Sequence, residues 1–172
     1  MQTHTYLISN KKVVANSSLI WLAFVAYLGI GFYSWTIVDS AQLLFVAVCV
    51  NVFLGSMAIY GVVIHLNYYK YSTRSKLEIT YDKISYFKDG KLETEIQNKD
   101  VSEIRHIIGP NMSKFSWDNL SYFVLIDKNR NSILVPIYIM DLGEFWLDTL
   151  TRKVSNDNIV IIRKWFPYIK HK

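Results

Sequence analysis

The chain has 172 residues, 51% of them hydrophobic and 15% aromatic, and its formal net charge at pH 7 is +5. Residues 77–151 contain 8 basic and 12 acidic residues, a net charge of −4, whereas residues 152–172 contain 6 basic and 1 acidic, a net charge of +5. Nucleic-acid-binding proteins concentrate Lys and Arg on the folded domain, so this distribution argues against that class. The single cysteine, Cys49, excludes an intramolecular disulfide.

Two long apolar segments lie near the start of the chain. No Asp, Glu, Lys or Arg occurs in residues 13–38 or 40–69, and Asp39 alone separates the two segments. A helix crosses the hydrocarbon core of a bilayer with about 20 mostly apolar residues, so the pattern predicts a transmembrane hairpin. The predicted parts of the chain are an N-terminal segment (1–17), the hairpin (18–69, with spans 18–38 and 41–66), a folded domain (70–158) and a tail (159–172).

Basic residues flank both open ends of this hairpin. Lys11 and Lys12 precede the first span, three basic residues follow the second within residues 70–76, and the turn at Asp39 has none. Positive charge stays on the cytoplasmic side of a membrane, so both termini are expected to be cytoplasmic. Basic residues at a membrane surface are attracted to anionic lipid by about 1 kcal/mol each. The residues predicted to form this basic collar are Lys70, Arg74, Lys76, Arg163 and Lys164.

Small and polar residues recur on one face of the second span. Ala47, Asn51 and Gly55 are spaced by four residues, which places them on the same side of a helix. Such residues let helices approach closely and hydrogen-bond to each other. The spacing therefore predicts that Asn51 and Gly55 pack against the first span or against a second copy of the chain in a homo-oligomer. A transport path is disfavoured, because the spans contain no carboxylate or arginine.

The pattern changes from helical to alternating after residue 76. Leu77, Ile79 and Tyr81 fall on one face of a strand, with Glu78 and Thr80 on the other. Further along, Asp89-Gly90 predicts a tight hairpin, because glycine accepts a positive φ. The other predicted strand segments are 84–88, 91–98, 101–108, 122–126 and 132–139, the last two joined by a polar turn at 127–131.

A helix is predicted after these strands. Asp141 can cap the free N–H groups at its start, and Glu144 completes a capping box. The tail at 159–172 mixes Ile, Trp, Phe and Tyr with basic residues. Both a last strand over the sheet and an interfacial membrane segment fit that composition.

Antiparallel strands closed by one C-terminal helix resemble the pleckstrin-homology (PH) superfold. The sequence is similar to the bacterial membrane-anchored YcxB-like proteins, in which a two-helix hairpin precedes a small PH-like domain. The segments that carry the resemblance are the two spans, LEITYDKISYFKDG, IQNKDVSEI, YFVLIDKNRNSILVPIYI and DLGEFWLDTL. The resemblance implies a membrane α-hairpin joined to an α+β cytoplasmic domain, a PH-like antiparallel sheet or barrel capped by one helix, in the bacterial inner membrane. It implies no shared catalytic residues.

Motifs for catalysis, metal binding or cofactor binding are missing from the sequence. It has no HExxH, no paired cysteines, no glycine-rich phosphate loop and no nucleophile elbow. Its four histidines lie far apart, and His106 is predicted to be solvent-facing or held by a structural hydrogen bond. We therefore expect no enzymatic activity, no metal and no cofactor.

Three functions fit these observations. The first is a non-enzymatic binding or regulatory module at the cytoplasmic face of a membrane, in contact with membrane lipids and a protein partner but with no nucleic acid. The second is an immunity protein that neutralises a membrane-active toxin. The third is a small accessory subunit of a transporter or assembly, with Asn51 and Gly55 as its docking face.

Overall fold

A computed structural model describes residues 3–38, 40–110, 117, 119–140 and 158–170. Two long helices and eight strands occur within these ranges. In chain order they are β1 (His4–Leu7), α1 (Asn10–Ile37), α2 (Ala41–Ser72), β2 (Ser75–Ile79), β3 (Lys83–Lys88), β4 (Lys91–Gln97), β5 (Val101–Ile108), β6 (Tyr122–Asp127), β7 (Ser132–Pro136) and β8 (Ile159–Arg163). The helix predicted from Asp141 lies outside the described residues.

The helical hairpin is inserted between the first two strands of a sheet. β1 precedes both helices and pairs antiparallel with β2, which follows them, in a register from His4↔Ile79 to Leu7↔Lys76. No strand is predicted from the sequence in residues 1–17, because four residues with one half-buried side chain give too short a pattern. The helices also extend beyond the predicted spans, α1 towards β1 and α2 towards β2.

The first sheet, sheet A, has the strand order β1-β2-β3-β4 and is antiparallel throughout. The predicted hairpin between β3 and β4 is confirmed. Asp89 and Gly90 both have positive φ, 51° and 76°, as a tight two-residue hairpin turn requires. Alternate residues Ile84, Tyr86 and Ile96 are buried on the inner face of this sheet.

The second sheet, sheet B, has the strand order β7-β6-β5-β8. The predicted hairpin around residues 127–131 is confirmed by the antiparallel pairing of β6 and β7. The tail contributes β8, which runs parallel to β5, so this sheet is mixed and the prediction of a purely antiparallel sheet is wrong here. In the described residues the two sheets remain separate four-stranded units and do not close into a barrel.

Sheet B is covered on both faces. One face packs on sheet A, where Leu77, Ile104 and Phe123 belong to a shared core. The other face packs against the helices, where Ile64 and Tyr68 of α2 meet side chains of the sheet. The sequence of β6, YFVLID, supplies apolar side chains to both faces, as expected for a strand covered on two sides. The helical hairpin is therefore built into the folded domain.

Candidate functional site: a groove on the helix-facing side of sheet B

A groove of about 1020 Å³ opens on the helix-facing side of sheet B. Its floor is apolar and consists of Val124 and Ile126 of β6 and Leu134 of β7, with Tyr122 nearest the helices. Alternation along β6 places these side chains opposite Phe123 and Leu125, which face the core between the sheets. The covered part of this sheet face meets the helices, and the open part forms the groove.

Three other parts of the chain form the walls. Tyr71 belongs to the last turns of α2, Tyr86 and Thr94 come from sheet A, and Tyr168 comes from the tail. The Tyr86 hydroxyl lies 2.9 Å from Oγ of Ser75. Burial raises the pKa values of Tyr86 and Tyr122, so both remain neutral phenols at physiological pH. Neutral phenols can donate hydrogen bonds to a bound anion.

Some charged residues that line the groove are already paired. Arg105 donates from Nε and Nη2 to the two carboxylate oxygens of Glu103, at 2.7 and 2.9 Å, and this bidentate bond lowers the pKa of Glu103 and raises that of Arg105. The buried carboxylate of Asp127 accepts two hydrogen bonds from Asn131. Lys128 lies 3.6 Å from a carboxylate oxygen of Asp100.

Three cations at the rim and one exposed acidic residue, Glu93, remain. Arg130 lies in the turn between β6 and β7 with a positive φ of 66°, and Lys164 and Lys170 flank the exposed part of the tail. Within the described ranges, no acidic side chain forms an ion pair with any of the three. The lining as a whole carries five basic side chains and three acidic ones, a net charge of +2. An apolar floor with free cations at its rim suits an anion that also has an apolar part.

The comparison with known families agrees with the fold. A family model described as a PH domain matches residues 5–146, which is most of the chain. The chain belongs to this PH-domain family. The match begins within β1 and spans both helices, so the hairpin lies inside the matched region. No curated protein and no solved structure matches the chain. The PH-like resemblance drawn from the sequence is thereby confirmed.

The structure distributes the basic collar of this PH-domain protein over several sites. Lys70 is exposed near the end of α2, and Arg163 is exposed at the end of β8. Arg74 lies 3.4 Å from Asp89, and Lys76 pairs with Glu78 while its ammonium group lies 5.4 Å from the ring centre of Phe87. Lys164 alone of the collar lines the groove.

Asn51 and Gly55 lie at the contact between the two helices. Nδ2 of Asn51 donates to Oγ of Ser34 at 2.9 Å and to the carbonyl of Ala47 at 2.8 Å. Gly55 is buried against the ring of Tyr27, and a Cβ atom at Gly55 would come within 2.7 Å of the Tyr27 hydroxyl. The structure therefore places both residues against the first helix of the same chain.

His106 lies away from the groove, on the face of β5 that points into the core. It is buried and stacks on Phe123 with ring centres 4.4 Å apart. The expectation of a solvent-facing histidine is wrong, since the side chain is buried, and Nε2 has no hydrogen-bond partner in the part of the chain that the structure describes. Burial lowers the pKa of His106. Among the described residues no three His, Cys, Asp or Glu side chains come together as a metal site.

Several groove residues are not identified by sequence reasoning. Arg130 lies in a polar turn, where charged residues are common, so its sequence position does not indicate a binding role. Tyr122 begins an apolar run and is predicted only as a core residue. The alternation in YFVLID, which gives β6 two apolar faces, is the signal that predicts a second covered or ligand-binding face.

Proposed function

We propose that this protein is a membrane-anchored, non-enzymatic binding module of the PH-domain family that binds an anionic amphiphile in the groove of sheet B. The observation that carries the proposal is the combination of an apolar floor with three rim cations, Arg130, Lys164 and Lys170, that have no acidic partner in the described chain. Anionic lipid fits this lining, because its headgroup can meet the cations while an acyl chain covers the floor.

Exposed apolar surface supports the membrane anchor. The most apolar windows of α1 and α2 have mean hydropathies of 1.9 and 2.2, and only 11% of each window is buried. A core helix of a soluble protein would be mostly buried. Phe32, Phe45 and Val52, for example, expose 78%, 71% and 67% of their surface. A bilayer provides the cover that the described protein does not, since apolar surface of this extent is costly in water.

The orientation in the proposal follows from pairing and charge. β1 and β2 belong to one sheet, so the open ends of both helices lie on the same side of the membrane. Lys11, Lys12 and Lys70 lie at those ends, and positive charge favours the cytoplasmic side. We place the protein in the bacterial inner membrane with both termini in the cytoplasm. The groove then lies on the cytoplasmic side of the membrane, because Tyr71, near the end of α2 that enters the domain, forms part of its wall.

The other two functions gain less support. The accessory-subunit hypothesis requires Asn51 and Gly55 to form the docking face, but α1 of the same chain covers that face. An immunity protein needs a toxin-binding surface, and no described feature favours one over a lipid site. Both would appear as a stoichiometric protein partner in a mild-detergent pull-down of the full chain.

Lipid-dependent thermal stability of the full chain in neutral detergent tests the proposal. A ligand that binds only the folded state raises the unfolding midpoint. Short-chain phosphatidylglycerol should raise the midpoint more than phosphatidylcholine of the same chain length, and added salt should reduce the difference. Lys164→Glu and Lys170→Glu should each reduce the difference. Lys91→Glu makes the same charge change at an exposed site outside the groove and should leave it unchanged.

Two results would overturn the lipid site. One is an equal effect of the two lipids on the unmodified protein. The other is a response to phosphatidylglycerol that survives Lys164→Glu and Lys170→Glu as fully as it survives Lys91→Glu.

A further inference from the structure

α2 is too long to lie wholly within a bilayer. Its 32 residues span about 48 Å at 1.5 Å per residue, whereas the hydrocarbon core is about 30 Å thick. Burial shows which end belongs to the domain. No buried residue of α2 precedes Gly55, and after Tyr60 the helix buries polar side chains such as His65, Asn67 and Ser72. The segment from Ala41 to Tyr60 is about 30 Å long and fits the hydrocarbon core by itself.

The tail after β8 is fixed along the part of α2 that projects from this segment. Asn67 exchanges two hydrogen bonds with the backbone of Ile169, at 3.0 and 2.9 Å. The Tyr68 hydroxyl donates to the carbonyl of Pro167 at 2.8 Å. Nε1 of Trp117 donates to the carbonyl of Trp165 at 3.0 Å. These contacts hold the intervening residues 165–167 in a defined position beside the helix.

The tip of this tail reaches α2 at the level of Tyr60. The ring centre of Phe166 lies 4.2 Å from that of Tyr60. Trp165 exposes 58% of its surface, Phe166 43% and Tyr60 44%, and basic Lys164 and Lys170 flank the tip. Exposed aromatic rings beside positive charges, at the end of an apolar helical surface, are typical of the headgroup level of a membrane.

We propose that the aromatic tip Trp165–Phe166, together with Tyr60, inserts at the headgroup level of the membrane that α1 and α2 span. The tail is then a third membrane contact that does not cross the bilayer, and it fixes the tilt of the PH domain relative to the membrane. We assign the tip to a lipid surface because it continues the exposed apolar surface of α2. The contact between the rings of Phe166 and Tyr60 joins the two surfaces. This inference rests on the membrane anchoring proposed above.

Depth measurements on spin-labelled full-length protein in vesicles of phosphatidylcholine and phosphatidylglycerol test it. Cys49→Ala removes the single native thiol, and Trp165→Cys, Phe166→Cys, Val52→Cys and Leu92→Cys each introduce one label. Val52 is exposed near the middle of the Ala41–Tyr60 segment of α2 and is the lipid reference. Leu92 is the water reference, because it is exposed beside the β3–β4 turn. In that turn the Asp89 N–H donates to the carbonyl of Arg74, which lies fourteen residues after Tyr60.

Accessibility to oxygen, which concentrates in lipid, is compared with accessibility to a water-soluble nickel complex. We expect the oxygen-to-nickel ratio at positions 165 and 166 to fall between the ratios at 52 and 92. A ratio equal to that at 92, with a high ratio at 52, would overturn the tail contact and leave the anchor intact. Low accessibility to both reagents at 165 and 166 would also overturn it, since protein would then cover the tip. A water-like ratio at 52 would overturn the anchor itself.

Discussion

The side-chain amide of Asn67 and the backbone of Ile169 form a reciprocal pair of hydrogen bonds across 102 residues of sequence. Nδ2 of Asn67 donates to the Ile169 carbonyl at 3.0 Å, and its Oδ1 accepts from the Ile169 N–H at 2.9 Å. Both residues are buried. The amide side chain thus takes the place of a neighbouring strand and joins the tail to the projecting part of α2.

Asn67→Ala should detach the tail from α2. The substitution leaves the N–H and the carbonyl of Ile169 buried without partners, and we expect a loss of about 2–4 kcal/mol in the free energy of unfolding. Thermal unfolding of the full chain in mild detergent measures this, and limited proteolysis should cut the tail faster. Asn129→Ala, in the exposed turn between β6 and β7, is the control and should change neither. An Asn67→Ala protein that is as stable and as protease-resistant as the unmodified protein would contradict the role of Asn67 in holding the tail on α2.

Gly55→Leu should separate the two helices. A Cβ atom at residue 55 meets the Tyr27 hydroxyl at 2.7 Å and the Tyr27 ring at 2.8 and 3.1 Å, so we expect a loss of about 1–3 kcal/mol in the same unfolding measurement. Gly29→Leu is a matched control, since a Cβ atom there meets nothing within 4 Å. Adding Tyr27→Ala to Gly55→Leu should recover part of the loss, because the two sites share one contact. If the losses of stability from Gly55→Leu and Tyr27→Ala simply add in the double variant, this packing is contradicted.

Lys88→Met should loosen the junction between α2 and sheet A. Nζ of Lys88 donates to the carbonyls of Tyr71 at 2.9 Å and Thr73 at 2.6 Å, and to Oγ of Ser75 at 3.0 Å. It therefore satisfies carbonyl groups that the end of a helix leaves free. We expect faster amide hydrogen exchange in residues 70–75.

Lys83→Met provides the control for Lys88→Met. It removes the exposed ion pair with Glu95 from the other end of β3, which solvent screening makes weak. Equal exchange rates at residues 70–75 in the two variants would show that Lys88 does not cap the helix.

His106→Phe should weaken the pH dependence of stability. Burial lowers the pKa of His106, so between that lowered pKa and about 6.5 the unfolded chain binds a proton that the folded chain does not. The free energy of unfolding therefore falls as the pH falls below about 6.5. The variant keeps the stacking on Phe123 and should lose part of this decline between pH 7 and 5, since burial also lowers the pKa of His65. His4→Phe, at an exposed position in β1, should retain it. Identical profiles for the two variants would refute the role of His106.

Features set by neighbouring residues were predictable from the sequence. Asp89-Gly90 specifies its own hairpin, because both residues accept a positive φ. Apolar residues at 101, 104, 107 and 108 predict a strand where β5, Val101–Ile108, is found, and the polar turn at 127–131 predicts the β6–β7 hairpin. The spacing of Asn51 and Gly55 placed them on one helix face, although it left open which helix they meet.

Features set by distant residues were not predictable in this way. β1 is recognisable as a strand only through its pairing with β2, whose residues lie more than 60 positions later. The parallel pairing of Ile159 with Ile104 has no local signature. The groove requires α2, both sheets and the tail to meet, so Arg130 and Lys164 gain a shared surface only in the folded chain.

In the proposed membrane topology, the position of β1 makes correct insertion of both helices a condition for folding. Ribosomes release β1 first, yet its partner β2 emerges only after both helices have been made. In the proposed membrane orientation, a chain in which a single helix crossed the bilayer would leave β1 and β2 in different compartments, and sheet A would lack its first strand. The unpaired edge of β2 would then offer a template for pairing with another chain, so the misinserted protein would tend to aggregate.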